Sequence, residues 1–198
     1  MNRVVQLEDF MARPFIETWH YSRRATKGDH FYFGWLIDKK LYAVADYGIG
    51  VNQYQARSIS SMSLLNVTSS NLIELKRLCR TCPKMDINLT QFMGRCHKLL
   101  KKMGYVYVVT FSDPAHGHTG GLYRAANFDY LGKTVPEYHY IDEAGESRHR
   151  LYPARYSKRN GCTLKEAISI LKLTKVRNVA KDRWLLCINK KKKSYELC

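Results

Sequence analysis

Residues 110–128 read TFSDPAHGHTGGLYRAANF, and this stretch sets both the fold and the position of a possible reaction centre. It continues the run YVYVVTF at 105–111, which alternates aromatic and β-branched residues as a buried strand does. Pro114 ends the strand, and the glycines after it permit positive φ angles or close approach of the backbone. A short helix is predicted from Gly121 to about Phe128. The stretch is therefore a strand-to-helix turn at the carboxyl end of a strand, where α/β sheets open their ligand crevices.

Asp113 in this turn has two interpretations. Its carboxylate could serve as a general base or a metal ligand, with His116 and His118 close by in sequence. The backbone N–H groups of residues 119–122 would then favour a bound anion at the helix start. Alternatively, the stretch is an ordinary turn in which Asp113 accepts hydrogen bonds from the following backbone amides. The spacing alone leaves both interpretations open.

Two earlier segments carry further candidate site residues. The sequence WHYSRR at 19–24 places an imidazole, a phenol and a hydroxyl beside two cations. This pattern could also be a set of partly buried aromatic residues with a basic rim. Arg77, in ELKRL at 74–78, either pairs with Glu74 or holds a negatively charged group of a substrate.

The charge of the chain favours a polyanionic partner. Its 33 Lys and Arg residues outnumber 17 Asp and Glu, giving a formal net charge of +16 over 198 residues. Basic residues cluster at 23–27, 95–102, 148–159 and 190–193, and aromatic residues interleave several clusters, which suits phosphate contacts and base stacking. A basic surface without a ligand is the simpler alternative. The expected nucleic-acid contacts are Arg23, Arg24, Lys27, Arg150, Arg155, Lys158 and Arg159.

The sequence also limits where the protein acts. No apolar run approaches the roughly 20 residues of a membrane span, and the N-terminus MNRVVQLEDF lacks the apolar centre of a signal peptide. A cytoplasmic protein without a membrane partner is expected.

The order of elements predicts an α/β (α+β) fold with a mixed central sheet flanked by helices. Runs at 31–37 and 41–47 predict a hairpin, whereas 71–82 fits either a helix or a strand. The remaining predicted elements are a helix at 89–103, a hairpin of 137–142 with 147–152, a capped helix at 163–173 and a closing strand at 183–189. We expect a main domain over 1–157 and a small basic C-terminal helix-strand segment over 158–198, which either grips nucleic acid or completes the main domain.

Three blocks, taken in order, resemble the Mom proteins of bacteriophages. They are His20-Tyr21-Ser22, Glu74-Leu75-x-Arg77-Leu78, and the glycine-rich block from Ser112-Asp113-Pro114 to Asn127-Phe128. The resemblance covers roughly residues 15–155, and the sequence Lys181-Asp182-Arg183-Trp184 looks like the C-terminal strand of that family. It implies a fold like that of the GNAT acyltransferases. It also implies addition of a carbamoylmethyl group to the exocyclic amine of adenine in double-stranded phage DNA, which protects the genome from host restriction.

The resemblance also implies residue roles. Catalytic positions would be Tyr21, Arg77, Asp113 and Tyr123, and we expect Ser112 and His118 of the same glycine-rich block to be catalytic as well. Gly120 and Gly121 would bind a cofactor or donor, and His20, Tyr21 and Asp113 would hold Fe(II). The protein would act in the cytoplasm of the infected host and use a small-molecule group donor.

One segment departs from the pattern of GNAT acyltransferases. Those enzymes bind the pyrophosphate of acetyl-CoA with a glycine-rich loop after the fourth strand. If 71–82 is that strand, the loop is 83–90, PKMDINLT, which contains no glycine. Acetyl-CoA is therefore disfavoured as donor, and the donor's identity stays open. An acetyl-CoA-dependent N-acetyltransferase and a non-catalytic DNA-binding protein remain the alternative functions.

Overall fold

The computed structural model describes residues 2–48, 53–81 and 88–189. The chain divides into two compact units. Unit 1 consists of Met1–Ser112, His118–Gly132 and Asp182–Cys198, and unit 2 of Asp113–Gly117 and Lys133–Lys181. The predicted boundary after residue 157 falls inside a helix of unit 2. Among the described residues, none of the helices has the length and apolar character that crossing a membrane requires.

The described elements follow the order of an α/β fold. The strands are β1 (Asn2–Leu7), β2 (His30–Ile37), β3 (Lys40–Gly48), β4 (Leu72–Arg80), β5 (Tyr107–Ser112), β6 (Asp129–Lys133), β7 (Tyr138–Ile141), β8 (Ser147–Arg148), β9 (Thr174–Arg177) and β10 (Asp182–Cys187). The α-helices are α1 (Asp9–Trp19), α2 (Gln53–Ser63), α3 (Leu89–Lys102), α4 (Gly121–Ala125), α5 (Tyr152–Asn160) and α6 (Leu164–Ile170).

Unit 1 is built on a seven-stranded sheet in the order β1-β2-β3-β4-β5-β10-β6. The strands β4 and β5 are parallel, whereas β1–β2, β2–β3, β3–β4 and β5–β10 are antiparallel. Apolar clusters cover the sheet, the largest joining β2, β3 and β5 to α3. The predicted mixed sheet flanked by helices is therefore confirmed.

Local signals explain the elements nearest the candidate site. Asp38 and Lys39 have φ angles of 47° and 68°, which makes the β2–β3 connection a two-residue hairpin turn. The ambiguous segment 71–82 contains a strand, β4, because it pairs in parallel with β5 in the interior of the sheet. The helix predicted at 89–103 is α3. The glycine-free segment 83–90 lies, up to residue 87, outside the described residues, as does the lysine run at 190–193.

Unit 2 contains a three-stranded sheet in the order β8-β7-β9 and the helices α5 and α6. The capping box at the start of α6 is confirmed, since Thr163 and Glu166 exchange hydrogen bonds. The predicted second hairpin strand, 147–152, is wrong over 149–152. Only Ser147–Arg148 form the strand, and α5 begins at Tyr152 because Pro153, without an N–H group, suits the first helical turn.

Trp184 on β10 joins three elements of unit 1. Its indole Nε1 donates a hydrogen bond of 2.9 Å to Ser112 Oγ, at the end of β5, and both side chains are buried. Gly120, which precedes α4, has φ 73°, and a Cβ there would lie 2.1 Å from the indole ring. The glycine is required for both reasons: the backbone angle is left-handed, and the indole fills the space a side chain would need.

Gly120→Ala should lower the free energy of unfolding by about 3 kcal/mol or more, since the left-handed backbone and the overlap with Trp184 both cost energy. Gly117→Ala is the matched control, because Gly117 has φ 72° and no atom of the described residues lies within 4 Å of an added Cβ. It should cost only about 1 kcal/mol. Urea unfolding of both variants checks this, and equal losses would show that the packing against Trp184 is unimportant.

Candidate active site

The carboxyl ends of β4 and β5 lie side by side in the sheet. Their described ladder ends at Leu75–Thr110, where Thr110 Oγ1 donates to the Leu75 carbonyl at 3.0 Å, and both strands continue beyond it. A bulge in β4 at Lys76 shifts its register with β3. Bulges of this kind redirect side chains next to active sites. This end of the sheet is therefore where a crevice is expected.

Tyr21 is the centre of an aromatic cluster in unit 1. Its ring centroid lies 4.3 Å from that of His20 and 4.8 Å from that of His118, the latter edge-on at 85°. Tyr21 is 47% exposed, whereas His20 is buried. The structure thus brings together the segment that carries His20 and Tyr21 and the distant segment that carries His118, both of which were predicted to contribute to a site. The phenol ring of Tyr21 stays accessible between the two imidazoles.

Arg77 lies beside this cluster. Its Nε donates to the Arg24 carbonyl at 3.3 Å, and its Nη1 donates to the Lys76 carbonyl at 2.7 Å. The guanidinium therefore ties β4 to the segment that carries Tyr21. These two bonds use two of its five N–H donors, so it can also hold an anion.

His20 is neutral at pH 7. Burial lowers its pKa to about 4, and the positive charges of Arg77 and His118 act in the same direction. The Ser22 backbone N–H donates to His20 Nδ1 at 3.2 Å, so this nitrogen is an acceptor and the ring proton sits on Nε2. His20 consequently offers a neutral hydrogen-bond donor rather than a charge.

Tyr123 on α4 packs between other aromatic rings of unit 1. Its ring centroid is 5.6 Å from Phe128 and 6.2 Å from Trp184, and its hydroxyl contacts Thr110. Burial raises the pKa of Tyr123, with a smaller contribution from Tyr21. The phenol therefore stays protonated at neutral pH and can donate a hydrogen bond or a proton.

Asp113 belongs to unit 2 and is described within it. Its Oδ1 accepts a hydrogen bond of 3.1 Å from the Ala115 backbone N–H, at the start of a 3₁₀ turn over Pro114–His116. Its Oδ2 lies 3.4 Å from Lys181 Nζ. The capping interpretation is thus observed, and a catalytic role for Asp113 stays a prediction.

Other predicted site residues have defined environments. The hydroxyl of Ser112 is buried and accepts the bond from Trp184, and Gly120 accommodates the same indole. Both residues therefore have a structural role, and donor binding by Gly120 and Gly121 stays a prediction.

The expected nucleic-acid contacts are all exposed: Arg23, Arg24 and Lys27 in unit 1, and Arg150, Arg155, Lys158 and Arg159 in unit 2.

The described parts of the chain contain no group of three or more His, Cys, Asp and Glu side chains arranged to hold a metal ion. Of the predicted Fe(II) set, His20 already uses Nδ1 to accept from Ser22, and Asp113 uses Oδ1 to accept from Ala115. The iron site at His20, Tyr21 and Asp113 stays a prediction, and no step proposed below depends on it.

Asp46, on β3, was missed by the sequence reasoning. Its fully buried carboxylate contacts His30 Nδ1 at 2.5 Å and accepts from Thr26 Oγ1 at 2.7 Å. Asp46 also lies opposite Arg77 in the β3–β4 register. It therefore anchors the end of the segment that carries Tyr21. The sequence feature that could have identified Asp46 is that it is the single acidic residue in the apolar run LYAVADY at 41–47.

A pocket of about 360 Å³ lies at the other end of unit 1, lined by Gly94, His97, Lys98, Lys101, Ala126, Asn127, Leu186, Cys187 and Ile188. In the β5–β10 register, Asp182 pairs with Ser112 and Cys187 pairs with Tyr107. Five residues of strand separate these positions, or about 17 Å. The pocket is therefore distant from Ser112 and from the end of the sheet where the aromatic cluster is expected to act.

The sheet and its helices define a protein of the GNAT acyltransferase fold. The ribosomal-protein-S18-alanine N-acetyltransferase from Escherichia coli has a TM-score of 0.54 at 13% identity, covering 100% of this chain and 99% of that chain. A SpeG spermidine N-acetyltransferase mutant from Vibrio cholerae has a TM-score of 0.53 at 11% identity, covering 96% and 95%. At these identities the likeness shows the fold.

Residues 2–197 match the model of the Mom protein family, and the chain belongs to that family. A relative from Escherichia phage Mu, "Methylcarbamoylase mom", is 24% identical over 151 residues. The match covers 75% of this chain and 60% of that relative's length. The family predicted from the three sequence blocks is therefore confirmed.

The pKa of His20 makes the stability of the protein depend on pH. Since the unfolded imidazole titrates near its usual 6.5 and the folded one near 4, the unfolded state binds more protons between these values. The free energy of unfolding should therefore fall as the pH is lowered from 6.5 to 4. His20→Gln should remove part of this loss, as measured by urea midpoints at pH 7 and pH 5. His97, whose pKa burial also lowers to about 4, should account for a remaining part. An unchanged pH dependence in His20→Gln would contradict the assignment.

Proposed function

We propose that the protein is a phage DNA-modifying enzyme that attaches a carbamoylmethyl group to the exocyclic N6 amine of adenine. The observation that carries the proposal is the half-exposed ring of Tyr21 between His20 and His118, next to Arg77, in a chain of the Mom family. The phage Mu relative is named "Methylcarbamoylase mom", and this name supports carbamoylmethyl as the group that is transferred. The formal net charge of +16 supports DNA as the partner.

The target amine is paired inside a duplex, so the adenine must leave the base stack before it can react. An extruded base needs an aromatic surface that replaces its lost neighbours, and the accessible ring of Tyr21 supplies one. His20 can donate from Nε2 to a ring nitrogen of adenine without adding a positive charge. Protein contacts with phosphates would offset part of the few kcal/mol that extrusion costs.

In the transfer step, a bond forms between N6 and the methylene carbon of the carbamoylmethyl group. The bond between this carbon and the donor's leaving group breaks, its electron pair departs with the leaving group, and N6 loses one proton. Arg77 stabilises the negative charge that develops on the donor. The protonated phenol of Tyr123 can supply a proton to the leaving group, and Asp113 is the predicted acceptor of the N6 proton.

The proposed donor is a small molecule with a carbamoylmethyl group on a leaving group, and the cap at the start of α3 is an argument against acetyl-CoA. The side chain of Asn88 accepts from the backbone N–H groups of Thr90 and Gln91 at the start of α3. A helix start binds phosphate through such N–H groups, so this cap competes with a pyrophosphate.

An acetyl-CoA-dependent N-acetyltransferase is the second candidate, favoured by the structural likeness to N-acetyltransferases. Calorimetric titration distinguishes the two, since micromolar binding of acetyl-CoA would favour the acetyltransferase. We place the reaction in the cytoplasm of the infected host, where it would protect phage DNA from restriction.

Expression with a plasmid in a bacterial host, followed by mass spectrometry of the nucleosides, tests the proposed function. Deoxyadenosine should gain one carbamoylmethyl group. Arg77→Lys should reduce the product by about 10²-fold, because a lysine cannot bridge two carbonyls and an anion together. Arg95→Lys is the control, since Arg95 lies on α3 over the Trp35 ring. Unmodified deoxyadenosine from cells with folded native protein would refute the proposal.

Asp113→Asn tests the proton acceptor separately. The amide can still accept from Ala115, so the fold should persist, while the product should fall by about 10²-fold or more because general-base catalysis is lost. Asp142→Asn in unit 2 is the matched control, since Asp142 also accepts a backbone N–H, from Glu146, and pairs with a cation, Arg148. Equal product from the two variants would remove Asp113 from the mechanism and leave it as a cap.

A further inference from the structure

Arg183 is a partly buried cation in unit 1 without a carboxylate partner among the described residues. Its Nε is buried and has no hydrogen-bond partner in the part of the chain that the structure describes. Its Nη1 lies 3.4 Å from Ser58 Oγ and 3.1 Å from Met62 Sδ, both on α2. Burial lowers the pKa of Arg183, which reflects the cost of removing the charge from water.

The surroundings make this cation unexpected. Arg183 shares its face of β10 with Leu185 and Cys187, which are buried in an apolar cluster. A thioether is a weak acceptor and a neutral hydroxyl compensates only part of a charge. An unpaired cation at such a position is usually replaceable by an apolar side chain at no loss of stability. The guanidinium is therefore better explained by a ligand than by the fold.

The position on β10 indicates which ligand. Successive residues of a strand point to opposite faces, so Arg183 and Trp184 lie on opposite faces of the sheet. Trp184 packs 6.2 Å from Tyr123, the ring on α4. A small donor held beside Tyr123 would lie on the other face of the sheet from Arg183, which favours an extended polyanion as the ligand of Arg183.

We propose that Arg183, together with the hydroxyl of Ser58, binds a phosphodiester group of the DNA backbone. This inference rests on the proposed function, because that function supplies the DNA. The Ser58 hydroxyl can accept from Arg183 Nη1 while donating to a phosphate oxygen, and the exposed position of Ser58 admits the ligand. Among the described residues the contacts with α2 use only Nη1, so the two N–H groups of Nη2 remain available to phosphate oxygens.

Arg183→Met tests the proposal, because it should change stability and DNA binding in opposite directions. The apolar side chain fits the Leu185 face, so the melting temperature should stay the same or rise. The affinity for a fluorescent 20-base-pair duplex, measured by anisotropy at about 0.1 M salt, should fall roughly 5- to 10-fold. The slope of log affinity against log salt concentration should decrease in magnitude by about 1, as expected for the loss of one phosphate contact.

Arg3→Met is the matched control. Arg3 is an exposed residue of β1, five strands from β10 in the sheet, or about 24 Å away. The Arg3→Met substitution removes the same charge as Arg183→Met. It should leave the slope of log affinity against log salt concentration within about 0.3 of the native value, because the loss of one phosphate contact changes this slope by roughly 1. Ser58→Ala should weaken binding by a smaller factor than Arg183→Met, with an unchanged melting temperature.

The outcomes separate this inference from the proposed function. Native protein that binds no duplex would refute the proposed function and, with it, the role of Arg183. Native protein that binds DNA while Arg183→Met binds with the same affinity and salt slope would refute only the role of Arg183. A loss of affinity accompanied by an unchanged slope would also refute it, because a lost phosphate contact must change the slope.

Discussion

The hydrogen bond from the Trp184 indole to Ser112 is the interaction on which the candidate site depends. It joins residues 72 positions apart at the end of the sheet where β5 ends and β10 begins, since Ser112 pairs with Asp182 and Trp184 with Thr110. The same indole occupies the space above Gly120, so the start of α4 is fixed against β10. Because α4 carries Tyr123 and the preceding residues include His118, the orientation of both rings follows from the placement of one buried indole.

A second constraint acts on the other side of the site. Asp46 is buried among apolar strands, and it retains its position because His30 and Thr26 both bond to its carboxylate. Arg77 bonds to the Arg24 carbonyl from the neighbouring strand. The irregular segment between α1 and β2 is thereby held at Arg24 and at Thr26. These two contacts allow the exposed Tyr21 to keep a defined position.

The elements that sequence reasoning predicted well have strong local signals. The β2–β3 hairpin follows from two apolar runs around Asp38 and Lys39, and α6 follows from its capping box. The helices α1 and α2 were not predicted, since Pro14 interrupts the first and the second is rich in serine. Pattern alone could not assign β4, because a strand buried on both faces lacks alternation.

For the candidate site, the sequence predicted which side chains lie close together better than it predicted the contacts that each one makes. His118 does lie against Tyr21, which in turn lies against His20, although His118 comes much later in the chain than either. Ser112, by contrast, resembled a catalytic hydroxyl, and only the position of Trp184 shows that it is a buried acceptor. Contacts of this kind depend on strand order, which the spacing of residues does not encode.

The longer segment of unit 2, Lys133–Lys181, connects β6 to β10, which are adjacent strands of the central sheet. Thr134 and Lys181 close its base with two hydrogen bonds, from the Thr134 N–H to the Lys181 carbonyl and from the Lys181 N–H to Thr134 Oγ1. The two ends of this segment therefore lie next to each other, and lengthening the chain between them adds little to the entropic cost of closing the loop. Residues 135–180 can therefore be lengthened, shortened or exchanged while the central sheet keeps its strand order.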